Sequence, residues 1–225
     1  MSTKTSPRGL DLSPKEMGRA YRMYAPRKRS ATSAVLSFHG GNFVEGSVAW
    51  DAAQNDAISN QYRCVVYQID LPKTCAEFLK WALSQKLRAW LRAVTQTYGA
   101  LSVLGRSSGG YLAKVFFDIH SDVLARAAYL CPVMDPFRRA ISVEDKRHGT
   151  YAFFGSCYFR MGDALKFTNR EIILVPCELD PLVPVQAQPR EVLLKSVSVN
   201  LQTHRNVCCS VSPAFLAQLR FPILK

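Results

Sequence analysis

Gly105-Arg106-Ser107-Ser108-Gly109-Gly110 sets a serine between glycines. It directly follows the apolar run of residues 101–104 and precedes a helical pattern whose inward face is Leu112, Val115, Phe116 and Ile119. G-x-S-x-G between a strand and a helix describes a turn tight enough to strain the central residue and present its hydroxyl above a sheet. The flanking glycines permit that approach because they lack a Cβ. The helix N-terminus adds partial positive charge where an oxyanion would form. The chemistry implied is nucleophilic attack on an acyl carbon, with Ser107 as candidate nucleophile. Ser108 is the alternative, off the apex of the turn, and a plain Gly/Ser turn is the bland one. A serine hydroxyl is a poor nucleophile unless a base removes its proton and a carboxylate orients that base. The histidines available are His39, His120, His148 and His204.

The elements that would hold these residues alternate between strand and helix. Tyr21-Arg22-Met23-Tyr24 alternates and ends near Pro26, as an edge strand does. Further strands are predicted over residues 34–38, 64–69, 101–104, 127–131 and 172–175, with a weaker one over 197–201. Between Cys75 and Thr97, Phe78, Leu79, Ala82, Leu83, Leu87, Trp90, Leu91 and Val94 recur at three and four, which predicts one long amphipathic helix. A short helix is readable over 188–195, and Phe215-Leu216-Ala217-Gln218-Leu219 begins a closing one. Continuous apolar strands alternating with helices imply an α/β class and a mostly parallel sheet of about seven strands, covered on both faces as a three-layer sandwich. Ligands of such sheets bind at the carboxyl ends of the strands. No repeat or linker divides the chain, so residues 1–225 read as one domain, with 1–17 a loosely ordered basic segment.

His39-Gly40-Gly41-Asn42-Phe43 follows the second strand. With the serine turn it resembles the α/β-hydrolase superfamily, in particular the serine esterases and lipases with an H-G-G oxyanion loop. The resemblance implies that fold with a small cap or none, and an oxyanion hole made by the backbone N–H groups of Gly40, Gly41 and Ser108. Asn42 departs from the usual third glycine. His39 is expected to hold the loop rather than act as a base. The family's chain order is Ser, then acid, then His. Asp180-Pro181-Leu182-Val183-Pro184 after the strand 172–175 resembles its acid loop, which implies Asp180 as the acid. Asp before Pro is also a common turn starter; Glu178 is a near neighbour, and Asp135, after the preceding strand, is the main competitor. His204 is the one histidine after Asp180 and follows the last candidate strand, so it is implied as the base, although 24 residues is a short separation. His120 and His148 read as solvated polar residues. Residues 137–168 hold an aromatic-rich insertion, including Tyr151, Phe153, Phe154, Tyr158, Phe159 and Met161. It is a small cap over an acyl pocket by resemblance, or core packing. So short an insertion leaves the pocket open and favours small acyl groups over long-chain lipid.

The reading is a serine hydrolase, a carboxylic-ester hydrolase acting on small or short-chain acyl substrates through an acyl-enzyme on Ser107. It needs no metal and no organic cofactor. Two alternatives stay open: an amide-cleaving relative of aryl-formamidase or peptidase type, and an inactive α/β-hydrolase-fold binding module. The net charge of +12 first suggests nucleic acid, but half of the excess lies in the first thirty residues. Arg19 and Arg22 fall on or beside the edge strand and Arg27-Lys28-Arg29 in the turn after it, where charge guards against edge-to-edge pairing. No nucleic-acid partner is therefore expected, although Pro26-Arg27-Lys28-Arg29 resembles a short nuclear-import signal. Seven cysteines with no C-x-x-C pair fit neither a disulfide framework nor a zinc site, and most lie in apolar runs as small hydrophobes. Vicinal Cys208-Cys209 is the weak candidate for a redox pair. No apolar run reaches the length of a membrane span. The expected setting is the cytoplasm; the oligomeric state is open.

Overall fold

The structure, a computed structural model, describes residues 17–28, 30–144, 147–155, 166–175, 180–198 and 203–223. Its centre is a seven-stranded sheet. The strands are β1 (Tyr21–Tyr24), β2 (Ser33–Phe38), β3 (Cys64–Ile69), β4 (Leu101–Arg106), β5 (Arg126–Leu130), β6 (Glu171–Val175) and β7 (Ser196–Ser198), in the order β1-β3-β2-β4-β5-β6-β7. Among the described residues only β1 is antiparallel to its neighbour. Every residue of β2, β3 and β4 is buried, as central strands covered on both faces must be. The expected edge strand, parallel sheet and three layers are all present. Residues 1–16 of the basic N-terminal segment lie outside the described residues, as do Arg29 and 199–201 of the last predicted strand.

Period-two alternation divides the strand side chains between two cores. Leu36, Phe38, Val103 and Tyr129 face one side, against α2 (Cys75–Ala82), α3 (Gln85–Tyr98) and α4 (Ser108–Ile119). Val35, Val66, Leu104 and Leu130 face the other, against α1 (Ala52–Tyr62), α8 (His204–Cys209) and α9 (Pro213–Leu216). Between them in sequence come α5 (Pro136–Ser142), α6 (Arg147–Phe154) and α7 (Arg190–Lys195). The register pairs Phe38 with Gly105 and Arg106 with Leu130, so the segments after β2, β4 and β5 leave the sheet side by side. Among the described residues no helix is long and apolar enough to cross a membrane.

Three elements differ from the sequence expectation. The single helix predicted from Cys75 to Thr97 is two, because Ser84 accepts a hydrogen bond from the Leu87 N–H and starts a new helix, while Leu83 turns outward. The apolar spacing runs through the break without registering it. α1 was not legible, because the side it buries carries Gln54, Asn55 and Ser59. His120 is not solvated: it is buried, its Nε2 pairs with the Ala82 carbonyl at 2.8 Å, and its ring packs on Phe116. Burial pushes its pKa down.

The polar side of α1 exists for Arg106, whose guanidinium is 1% exposed at the end of β4. It donates from Nε to Gln54 Oε1 at 2.6 Å, from Nη1 to Ser37 Oγ at 2.6 Å and from Nη2 to Asn55 Oδ1 at 2.8 Å. Asp51 Oδ2 lies 3.8 Å away and supplies the opposite charge. Gln54 also donates from Nε2 to the carbonyls of Val207 and Ser210, at 3.3 and 2.8 Å, tying α8 to the same cluster. Replacing Arg106 leaves several buried acceptors unpaired, each costing about 1–3 kcal/mol. Arg106→Met is expected to lower the unfolding free energy by roughly 3 kcal/mol or more on that basis, read from the urea midpoint. Gln54→Ala should cost less and act mainly on α8, seen as faster amide exchange over residues 204–209.

Candidate active site

Ser107 stands between β4 and α4 with φ 53° and ψ −125°, a left-handed conformation that an L-residue adopts only when its surroundings impose it. Two backbone bonds impose it: the Ser107 N–H donates to the Leu130 carbonyl at 2.9 Å, and the Ser107 carbonyl accepts from the Val133 N–H at 3.0 Å. The glycines around it are sterically required. A Cβ on Gly105 would come within 2.6 Å of Ala113 Cβ, one on Gly110 within 2.5 Å of Pro132 Cβ, and one on Gly109 would collide with the carbonyls of Phe38 and His39. The serine turn and the His39 loop are thus pressed backbone to backbone.

That contact brings Gly40 to Ser107, where a Cβ on Gly40 would lie 3.2 Å from Ser107 Cβ. Gly41 has φ 114°, and Asn42 and Phe43 follow at 51° and 72°, so the loop folds back on itself. His39 holds it: Nδ1 pairs with the Gly40 carbonyl at 2.6 Å, and the ring packs on Gly46, where a Cβ would strike it. Burial pushes the His39 pKa down. Among the described residues no acceptor is bonded to the N–H of Gly40 or Gly41. The Ser108 N–H is one of the first-turn donors a helix cannot satisfy internally. The Ser108 hydroxyl is committed elsewhere, accepting from the Phe43 N–H at 3.1 Å, so it latches the loop to the turn.

Asp180 and His204 meet. His204 Nδ1 lies 2.7 Å from Asp180 Oδ2, while Asp180 Oδ1 accepts from the N–H groups of Leu182 and Val183 at 2.9 and 3.1 Å. Burial opposes ionisation of Asp180, but the His204 hydrogen bond and charge outweigh it and hold the carboxyl below its usual value. Burial likewise opposes protonation of His204. Its bonds to Asp180 and to the Cys208 thiol outweigh that and raise its pKa to about 10. The competing acid Asp135 is occupied as the cap of α5, with Oδ1 accepting from the Arg138 N–H at 2.8 Å. Glu178 lies outside the described residues, and His148 is exposed. Among the described residues the Ser107 hydroxyl and His204 are not hydrogen-bonded. They are joined through the end of β5, where the Leu130 carbonyl accepts from Ser107 N–H and, at 3.8 Å, from Cys208 Sγ.

Sequence reasoning missed Arg139. Its buried guanidinium donates from Nη1 to Asn42 Oδ1 at 2.9 Å and from Nε to the Leu182 carbonyl at 2.8 Å. Burial lowers its pKa to about 10, against the opposing pull of Asp180. Arg139 clamps the H-G-G loop to the acid loop, and Asn42, where a third glycine was expected, is the handle it grips. That departure was the available signal, though nothing in the sequence pointed to its partner. The aromatic insertion does pack as core in its described part: Phe153 and Phe154 close on Phe43 at ring-centroid distances of 5.3 and 5.2 Å. Tyr151 is half-exposed, and Tyr158, Phe159 and Met161 lie outside the described residues.

No curated protein matches the sequence. Among solved structures the chain is similar to a hyperthermophilic esterase from the archaeon Pyrobaculum calidifontis, at 18% identity and TM-score 0.67, covering 96% of this chain and 90% of that one. It is similar to the thermophilic carboxylesterase EstE1 from a metagenomic library, at 18% identity and TM-score 0.63, covering 89% and 85%. A hormone-sensitive lipase from a metagenome library aligns at 15% identity and TM-score 0.62, covering 91% and 80%. Such identities speak for the fold. Residues 35–169 match the family described as alpha/beta hydrolase fold, a span that starts in β2 and includes the H-G-G loop, the serine turn, α5 and α6. By that match over more than half its length, the chain belongs to the alpha/beta hydrolase fold family.

Proposed function

We propose that this protein is a serine hydrolase that cleaves carboxylic esters of small or short-chain acyl groups. The observation that carries the reading is the Asp180–His204 pair, formed at the end of the sheet where Ser107 sits strained against Gly40. His204 takes the Ser107 proton as Oγ bonds to the acyl carbon, and Asp180 holds the imidazole by Nδ1. The N–H groups of Gly40, Gly41 and Ser108 receive the oxyanion, each such donor being worth about 3 kcal/mol to the transition state. His204 then protonates the departing alkoxide, and water, activated by the same base, hydrolyses the acyl-enzyme. The esterases among the structural neighbours favour esters over amides for this chain as well. Cysteines set in apolar runs as small buried hydrophobes, such as Cys64 and Cys131, favour a reducing, cytoplasmic setting.

A second reading is a binding module that has kept the fold. The missing Ser107–His204 hydrogen bond favours it, although such bonds are often long before substrate binds. A fluorophosphonate probe separates the two. The hydrolase should be labelled on Ser107, with labelling abolished in Ser107→Ala and p-nitrophenyl acetate turnover reduced by at least about 10³-fold. An unlabelled folded wild type would establish the binding module.

The charge state of His204 sets the pH dependence. Imidazolium cannot accept the serine proton, so kcat/KM should keep rising with pH towards about 10 instead of levelling near the ordinary imidazole value of 6.5. Cys208→Ala removes a thiol that helps retain that proton and should move the limb to lower pH. Stability runs the other way. A folded pKa above the unfolded one means that the contribution of the His204 imidazolium is complete below about pH 6.5 and gone above about pH 10. Thermal midpoints measured across that window should fall, and fall less in His204→Gln.

A further inference from the structure

We propose that Cys131, Cys208 and His204 form a binding site for a thiophilic divalent cation, Zn²⁺ foremost, and that a cation held there takes His204 out of the reaction. The inhibitory consequence rests on the reading of His204 as the base; the metal site itself does not.

The three residues come from separate parts of the chain. His204 and Cys208 lie four apart on α8 and therefore on one face of the helix. Cys131 is the first residue after β5, held at φ 44° by the bond from its N–H to the Leu174 carbonyl. A left-handed conformation at a buried cysteine is a strained one, kept here beside the candidate base. The two sulfurs and a ring nitrogen of His204 all lie within 4.8 Å of one another. Zinc bonds to sulfur at about 2.3 Å and to imidazole nitrogen at about 2.0 Å, so tetrahedral ligands stand about 3.4–3.8 Å apart. Small side-chain rotations close the difference.

The surroundings suit a metal. Asp180 Oδ2 already holds His204 Nδ1 at 2.7 Å, which assigns Nε2 to the cation and reproduces the carboxylate–histidine support of zinc-bound imidazoles. Two thiolates and an imidazole select Zn²⁺ or Cd²⁺ and discriminate against Mg²⁺ and Ca²⁺, which want oxygen. Three protein ligands leave a fourth position for water, the arrangement of an open site. A cation bonded to Nε2 occupies the lone pair that would take the serine proton.

The test uses the full chain, stripped with a chelator, and Cd²⁺ as the spectroscopic probe. Titration should produce the ultraviolet sulfur-to-cadmium charge-transfer band, saturating at a single equivalent. The band should weaken in Cys131→Ser and Cys208→Ser, with affinity reduced at least about tenfold in His204→Ala. Cys209→Ser, which removes the exposed thiol, should leave it intact. Circular dichroism of each variant guards against misfolding, and Cys131→Ala with Cys208→Ala gives a second pair if either serine form is unstable. In parallel, stoichiometric Zn²⁺ should suppress ester hydrolysis at least about tenfold, reversed by chelator, while Mg²⁺ has no effect. No band, or a band unchanged in both cysteine variants, overturns the site. A cysteine-dependent band with undiminished hydrolysis overturns the inhibition. A cysteine-dependent band in a wild type that hydrolyses nothing upholds the site and sinks the hydrolase reading instead.

Discussion

A buried guanidinium at the carboxyl end of the central strand governs how one whole face of this sheet is packed. Arg106 directly precedes Ser107, so its side chain points into the layer beneath the serine turn and has to be satisfied there. Charge in a dry interior is tolerated only with full hydrogen bonding and an opposite charge near by. Ser37 on the neighbouring strand, Gln54 and Asn55 on α1, and Asp51 just before α1 meet that demand. Gln68 on β3 extends the cluster, accepting from Asn55 Nδ2 and Ser37 Oγ at 2.7 and 2.6 Å. Gln54 carries it on to α8. The residue beside the candidate nucleophile is thus tied, through Gln54 alone, to the helix that bears the candidate base.

Above that layer, backbone strain gathers at one end of the sheet. Asn42, Phe43, Ser107 and Cys131 all have positive φ without being glycine. Each follows a strand end or sits in the loop after one, and each is held by hydrogen bonds from a neighbouring segment. The arrangement is mutual: Ser107 fixes the segment after β5, Ser108 fixes the H-G-G loop, and Arg139 joins that loop to the acid loop. Rigidity of this kind is what an oxyanion hole needs, because donors must be in place before charge develops. The packing of Phe43 against Phe153 and Phe154 helps the loop keep that conformation.

Much of this was legible from residue types alone. Apolar runs marked the strands because buried parallel strands have no polar face to show. The serine turn was legible because only glycine tolerates such close backbone approach, and the glycines stand at fixed offsets from Ser107. Where the sequence misled, the cause was a buried surface with the wrong polarity for its place. α1 buries amides, so its pattern is not that of an amphipathic helix. His120 buries an imidazole against a carbonyl and an aromatic ring, which no local pattern announces. The break at Ser84 hid for the opposite reason, since two helices in succession kept the same apolar stripe.

The sequence by itself marked the strands, the glycine-framed turn at Ser107 and the chain order in which a serine, an acid and a histidine would appear, because each shows in the residue types of a short stretch of chain. Only the tertiary structure decided that Asp180 and His204 would pair across 24 residues, that Asn42 would be held by Arg139, and that Ser108 would be a latch. The cysteines show the division most plainly. By spacing they resemble no metal site, yet the end of β5 lies against α8 and sets Cys131 beside Cys208 and His204. Proximity across a sheet comes from strand order and helix packing, and neither leaves a periodic trace in the chain.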